Sequence, residues 1–129
     1  MAFKATFHVD GKQFTVQSCH YGLHQNIDAQ GQPQSTVRGG TISVTIEGTD
    51  DNTIFNWMTD PHAFKDGKVT YYKRDQNSKL KDLEFEGAAC IDYAESYDAN
   101  SNSPMMVSFT LTARKITMNG DSHENEWSN

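Results

Sequence analysis

The stretch FKATFHVDGKQFTV, residues 3–16, alternates apolar and polar side chains on both sides of a turn signal. Successive side chains of a strand point to opposite faces, so this alternation predicts extended chain with one buried face. The residues on that face of the first strand are Phe3, Ala5, Phe7 and Val9. The dipeptide Asp10-Gly11 favours the tight turn of a hairpin. The stretch therefore predicts two antiparallel strands.

The same alternation continues along the chain. It predicts further strands at Thr41 to Glu47, Lys68 to Arg74, Leu80 to Tyr97 and Met105 to Ile116. In the second strand the apolar phase slips by one residue beyond Ser18, which predicts a β-bulge or a strand buried on both faces. Gly87 predicts a bend in the longest strand. The predicted inner face of that strand is Leu83, Phe85, Ala89, Ile91 and Tyr93.

One helix is predicted, in the segment TDDNTIFNWMTDP. Asp50 or Asp51 can cap its first backbone N–H groups, and Pro61 ends it. Strands this long with a single short helix predict a sheet that closes or folds over itself, because long open edges invite aggregation. The chain is therefore expected to form one mainly β domain over residues 1–129 with one short α-helix.

Composition narrows the class of protein. The net charge is -6 and no local cluster of Lys and Arg is visible in the sequence, which disfavours a nucleic-acid partner. The mean hydropathy is -0.71 and no apolar run reaches membrane-spanning length, so no membrane insertion is expected. The N-terminus lacks the apolar block of a signal peptide, which predicts cytoplasmic synthesis. Cys19 and Cys90 are expected to be buried thiols.

The segment SCHYGLHQNID, residues 18–28, suggests either a metal site or the end of a strand. His20 and His24 share a face of a strand but lie about 13 Å apart along it, too far to bind one ion. On a helix the same spacing would suit a metal, but the preceding strand and Gly22 favour a strand end. We therefore expect no metal and no cofactor.

No motif typical of an enzyme is present. Asp82, Glu84 and Glu86 alternate with apolar residues, which predicts the solvated face of a strand rather than an acid/base site. The sequence contains no nucleophile elbow, no phosphate-binding glycine loop and no zinc-protease motif. In the polar C-terminal segment, Trp127 is expected to anchor that segment in a groove of its own or of a neighbouring chain. We expect a non-enzymatic protein.

Four segments of the chain resemble one protein family. These are AFKATFHVDGKQFTV, DAQGQPQSTVRGGTISVTIEGTDD, TIFNWM and ARKITMNGDSHENEW. Together they are similar to the tube protein of the type VI secretion system, the haemolysin-coregulated protein (Hcp, TssD), in its Bacteroidetes form. The chain departs from the family pattern at Gln32, where a basic residue is common, and at Gly48, where serine is common.

The resemblance implies a mainly β fold, a small β-barrel of two packed antiparallel sheets with one short flanking α-helix, and a structural function. It implies rings of six subunits that stack into a tube, which sheath contraction expels together with a spike. The implied partners are the chain itself, the spike protein, sheath and baseplate components, and effector proteins carried in the lumen. It also implies export from the cytoplasm to the outside or into target cells without a cleaved signal peptide.

The candidate residues for contact between subunits or rings are Asp28, Gly31, Pro33, Val37, Gly39, Gly40 and Trp127. Most lie in the Gly/Pro loop that follows the second strand, where proline limits the entropy lost on binding and glycine permits close backbone approach. Two hydroxyl-rich strand faces could provide wet contacts or a lumen surface: Thr41, Ser43 and Thr45, and Ser108, Thr110 and Thr112. Two alternatives remain open: the inner tube of a phage-tail-like extracellular injection particle, and a monomeric ligand-binding β-barrel.

Overall fold

The structure, a computed structural model, describes residues 4–24, 29–32, 38–73, 79–100, 102, 104–119 and 121–124. Its elements, in chain order, are β1 (Lys4–Val9), β2 (Lys12–His24), β3 (Arg38–Glu47), α1 (Thr53–Thr59), β4 (Lys65–Tyr72), β5 (Lys79–Tyr97), β6 (Met105–Met118) and β7 (Asp121–Glu124). The side chains of His24, Arg38, Lys79 and 121–124 lie outside the described part.

The strands form one antiparallel barrel. Their order in the sheet is β3-β2-β1-β4-β5-β6-β7, and an additional pairing of β3 with β6 closes the ring of strands. That closing seam runs from Thr41 opposite Thr112 to Glu47 opposite Met106. The predicted barrel is therefore confirmed, and its two packed halves belong to one hydrogen-bonded sheet. β7 extends the sheet beyond the C-terminal half of β6.

The barrel interior is filled by aromatic rings. The Phe7 ring stacks on that of Phe85 at 5.8 Å between centroids and meets the edge of Phe109 at 5.1 Å. All three side chains are buried. Most of the remaining core comes from alternate residues of the barrel strands, which is why the period-two pattern predicted so much of it. Ile54 and Trp57 of α1 complete it.

Local sequence explains the turn and the helix. Asp10 and Gly11 have φ angles of 53° and 72°, the left-handed values that a tight hairpin turn requires. Helix α1 is preceded by Asp51, whose carboxylate accepts the Thr53 N–H at 2.7 Å. The helix ends at Thr59, and Asp60 before Pro61 is extended. Both predicted boundaries are consistent with this arrangement.

The inner face of β5 differs from the prediction in one respect. The bend at Gly87 has a φ of +59°, and beyond it the buried positions are Ala88 and Cys90 instead of their neighbours. A register shift between Cys90 and Asp92 then leaves Ile91 46% exposed. The predictions that Ala89 and Ile91 face inward were therefore wrong, because the change of phase at Gly87 moves their neighbours Ala88 and Cys90 to the inner face.

Candidate assembly surfaces

A continuous face of hydroxyl groups lies on the outside of the barrel. The register places Thr41 opposite Thr112, Ser43 opposite Thr110, and Thr45 opposite Ser108. The two hydroxyl sets that the sequence predicted separately thus become neighbours, since β3 and β6 form the closing seam. We call these six residues the hydroxyl face.

Two of these cross-strand pairs are in direct contact. The hydroxyl oxygens of Thr45 and Ser108 are 3.0 Å apart, and those of Ser43 and Thr110 are 3.3 Å apart. Each pair therefore satisfies part of its own hydrogen-bonding capacity while leaving lone pairs for water. The resulting surface is polar without carrying charge.

Flanking strands widen this surface into a shallow groove of about 430 Å3. Ser18 and His20 of β2 border it on one side, and Asp92 and Ala94 of β5 border it on the other. The face is thus four strands wide, in the order β2-β3-β6-β5.

Both outer strands of this face have a long edge that no described strand covers. β1 pairs with β2 only at residues 12–15, so residues 16–24 of β2 have β3 on one side alone. β4 pairs with β5 only as far as Ala88, so β5 beyond it has β6 on one side alone, with α1 packed nearby. Such edges present backbone groups that can pair with another chain.

Comparison with known proteins assigns this arrangement to a family. The chain matches the family described as haemolysin-coregulated protein Hcp (TssD) over residues 1–128. The chain belongs to the Hcp (TssD) family. It is 39% identical to Hcp1 from Flavobacterium johnsoniae, with a TM-score of 0.90 over 95% of this chain and 99% of that one.

More distant structures share the fold. Hcp3 from Pseudomonas aeruginosa is 13% identical, with a TM-score of 0.66 over 99% of this chain and 100% of that one. A chain of the anti-feeding prophage baseplate, solved by cryo-EM with six-fold symmetrisation, is 12% identical, with a TM-score of 0.57 over 92% of each chain. No match was found among curated proteins. The family consists of structural tube proteins of the type VI secretion system.

The predicted contact loop is described only in part. Gly31 is exposed with a φ of 84°, and Gly40 is buried within β3 with a φ of 87°, so both occupy conformations that favour glycine. Gly39 lies in β3 opposite Leu23. Asp28, Pro33, Val37 and Trp127 lie outside the described residues, so their role in contacts stays a prediction.

The positions at which this chain departs from the Hcp pattern are both exposed. A Cβ atom at Gly48 would lie 2.4 Å from the Cβ of Met105. Glycine therefore suits this point, where the chain just after β3 lies close to the start of β6. Gln32 lies in the contact loop.

Exposed apolar side chains are a surface feature that alternation alone did not single out. Phe55 of α1 is 48% exposed, and its ring meets Tyr93 edge-on at 5.6 Å between centroids. Leu80 at the start of β5 is also 48% exposed. Leu80 lies at the start of a strand, where the alternating pattern begins, and Phe55 lies on a helix, to which period-two alternation does not apply.

Titratable groups in the described part have ordinary structural roles. No group of three or more His, Cys, Asp and Glu residues among them could hold a metal ion. His20 is exposed, and Asp82 accepts a hydrogen bond from Thr70 at 2.8 Å. Burial raises the pKa of both cysteine thiols, that of Cys90 to about 11. The Tyr71 hydroxyl donates to the Cys19 sulfur at 3.3 Å, and burial raises the pKa of Tyr71.

Within the described ranges, the helical segment α1 has only seven residues, and no helix there has the length and hydropathy of a membrane span.

Proposed function

We propose that the chain forms six-membered rings which stack into the inner tube of a type VI secretion system, the tube that sheath contraction expels. One observation carries the proposal: the four-stranded face that bears the hydroxyl groups ends in an uncovered strand edge on each side. Family membership supplies the biological context.

The two edges differ, so copies meet head to tail. The β2 edge of one subunit can pair with the β5 edge of the next, adding backbone hydrogen bonds across the boundary. A contact between two unlike patches is heterologous, and it forms a closed ring when the rotation between subunits closes. Six subunits would then join their four-stranded faces into one continuous sheet.

The hydroxyl face would line the lumen of that ring. Its six hydroxyl side chains lie on the same side of the sheet and carry no charge. Such a surface offers many weak hydrogen bonds and stays wetted, which suits a channel that holds effector proteins and then releases them. Effectors in the lumen are thus the cargo that we assign to this face.

The wider assembly follows from the same role. The tube would contact a spike protein at its tip, a baseplate at its origin and a sheath around it. The protein would be cytoplasmic before firing and would then leave the cell without cleavage of a signal peptide. The chain itself would perform no catalysis.

A cross-linking experiment tests the ring. In a Cys19→Ser, Cys90→Ala background, cysteine replaces one β2 residue among Ser18, His20 and Gly22 together with one β5 residue among Asp92, Ala94 and Ser96. Within one copy the two edges are separated by three strand spacings of ~4.8 Å, beyond the reach of a disulfide. We expect at least one combination to give a ladder of covalent oligomers that stops at six.

Light scattering and negative-stain images of the unmodified protein provide the complementary test. A closed ring with a central hole is the expected species. A persistent monomer at high concentration would contradict the proposal and would favour the ligand-binding barrel. The packing of Phe7, Phe85 and Phe109 in the interior already argues against such a ligand site.

A second candidate is the inner tube of an extracellular contractile particle. Its support is the likeness in fold to the anti-feeding prophage baseplate chain. The two candidates differ in whether the contractile sheath leaves the cell together with the tube protein. Sheath-enclosed particles in the cell-free medium would favour the extracellular particle, whereas tube protein released while sheath stays in the cells would favour the secretion system.

A further inference from the structure

A groove beside helix α1 is a second surface, and it adjoins the β5 edge of the proposed ring contact because Tyr93 and Glu95 of β5 line it. It has a volume of about 230 Å3 and lies between α1 and the barrel. Ile46, Ile54 and Val107 form its apolar floor, and the exposed ring of Phe55 stands at its side with Tyr93. An apolar groove with a half-exposed aromatic ring is a suitable site for an apolar side chain of a partner.

The rim of this groove is acidic. Asp51 and Glu95 line it, and the exposed Asp50 directly precedes Asp51. Asp51 forms an ion pair with Lys12 at 2.7 Å, whereas Glu95 has no ion pair with any described residue. A partner that places an apolar side chain in the groove is therefore favoured when it also carries positive charge.

The opposite end of the barrel carries both positive charge and an exposed apolar side chain. Lys4 begins β1 and is the register partner of Tyr72 at the end of β4, and Lys73 directly follows Tyr72. Lys81 is the third residue of β5 and lies opposite Tyr71. We call Lys4, Lys73 and Lys81 the basic end. The exposed Leu80 lies among them, and Asp82 beyond it is engaged by Thr70. Lys73 and Lys81 belong to one hairpin, and the pairing of β1 with β4 adds Lys4 to this end.

One copy cannot place its own basic end in its own groove. β5 is 19 residues long; Lys81 is near its start, whereas Tyr93 and Glu95 are near its end. β1 and β4 confirm the direction, since Val9 and Gly67 pair at the end of the sheet away from Lys4 and Tyr72. The two surfaces therefore face opposite ways along the strands.

We propose that the groove beside α1 receives the basic end of a second copy, so that Leu80 enters it and Lys73 and Lys81 face Glu95 and Asp50. This proposal rests on the proposed function, because it assigns the chemistry of the contact between stacked rings. The contact joins two unlike surfaces, because one end of each subunit fits the other end of the next. Stacking is therefore directional. Repetition around the ring multiplies a contact that is weak for one pair of subunits.

Charge reversal tests this contact. Lys73→Glu with Lys81→Glu replaces attraction by repulsion at the rim, so we expect ring-to-ring association to weaken by at least about tenfold while rings persist. The matched control, Lys68→Glu with Lys115→Glu, makes the same change in net charge on the barrel wall. Sedimentation and negative-stain tube length measure both, at low and high salt.

A rescue variant makes the test specific. Adding Asp50→Lys and Glu95→Lys to the Lys73→Glu, Lys81→Glu chain exchanges the charges of both ends, and we expect it to restore association. Independently, Leu80→Ser should weaken association with rings intact.

Three results would overturn the inference. These are unchanged stacking after charge reversal, equal loss in the barrel-wall control, and wild-type rings that never associate end to end. A wild-type protein that forms no rings would overturn the proposed function as well, so the two failures are distinguishable.

Discussion

The hydroxyl oxygen of Ser43 lies 3.3 Å from that of Thr110 across the seam that closes the barrel. This contact belongs both to the fold and to the proposed lumen surface. A cross-strand hydroxyl pair of this kind contributes about 0.2–1 kcal/mol relative to alanine.

A double-mutant cycle can measure that contribution. We expect Ser43→Ala and Thr110→Val each to lower the free energy of unfolding slightly, with a coupling of about 0.5 kcal/mol between them. Urea denaturation of the two single variants and the double variant provides the values. Strict additivity would show that the two hydroxyl groups interact with water rather than with each other.

Gly67 is a position where the backbone of β4 leaves no space for a side chain. A Cβ atom there would lie 2.4 Å from the His8 carbonyl oxygen and 2.6 Å from the Phe85 ring. We expect Gly67→Ala to lower the free energy of unfolding by about 2–4 kcal/mol, because neither neighbour is a flexible chain end.

Gly22 provides the matched control in another strand. A Cβ atom at that position would meet no atom within 4 Å, and its backbone is not left-handed. Gly22→Ala should therefore leave the stability unchanged or raise it slightly. If both variants unfold at the same urea concentration, the steric account of Gly67 is wrong.

Asp51 makes part of the stability depend on pH. Its hydrogen bonds from Lys12 and then Thr53 lower its pKa from 3.8 to about 2. Since the pKa is depressed in the folded state, the stabilisation is fully present above about pH 4 and is lost as the pH falls toward 2. Asp51→Asn should thus destabilise the protein at pH 7 but make little difference near pH 2.

Denaturation curves of the wild type and of Asp51→Asn at the two pH values test this expectation. Lys12→Met should reduce the effect of Asp51→Asn, because Lys12 is the main cause of the lowered pKa. An equal effect of Asp51→Asn at pH 7 and pH 2 would contradict the assignment.

The Cys90 thiol should react slowly in the folded protein. Burial raises its pKa from 9.0 to about 11, so at pH 8 the thiolate is about a hundredfold less abundant than in the unfolded chain. Alkylation by iodoacetamide in a Cys19→Ser background, with and without urea, measures the difference. Similar rates in both conditions would show that Cys90 is accessible.

Much of the secondary structure was predictable because the forces that define it are local. Alternation identified the hairpin around Asp10 and Gly11, and the acidic residues before Thr53 marked the start of the helix. The bulge near Ser18 was visible as a slip of phase. The identity of the buried face could be read wherever the period stayed unbroken.

Only separate parts of the hydroxyl face and of the basic end could be predicted, because each surface depends on which strands become neighbours. Ser43 and Thr110 were each recognised as part of a polar strand face, but nothing local indicates that β3 pairs with β6. The basic end is a partial example, since Lys4 joins Lys73 and Lys81 only because β1 pairs with β4 and β4 pairs with β5. Ile91 was misplaced because a single bulge residue reverses the alternation.

The closing seam also determines when the barrel can form during synthesis. Thr41 cannot pair with Thr112 until that part of β6 has been synthesised. One edge of β3 therefore stays unpaired until most of the chain has been made. Pairings between such distant residues cost loop-closure entropy before they contribute stability, and they slow folding into the millisecond-to-second range. During that interval a nascent chain exposes the same kind of edge that the mature subunit uses for assembly. Newly made copies therefore need to close their barrels before they meet one another.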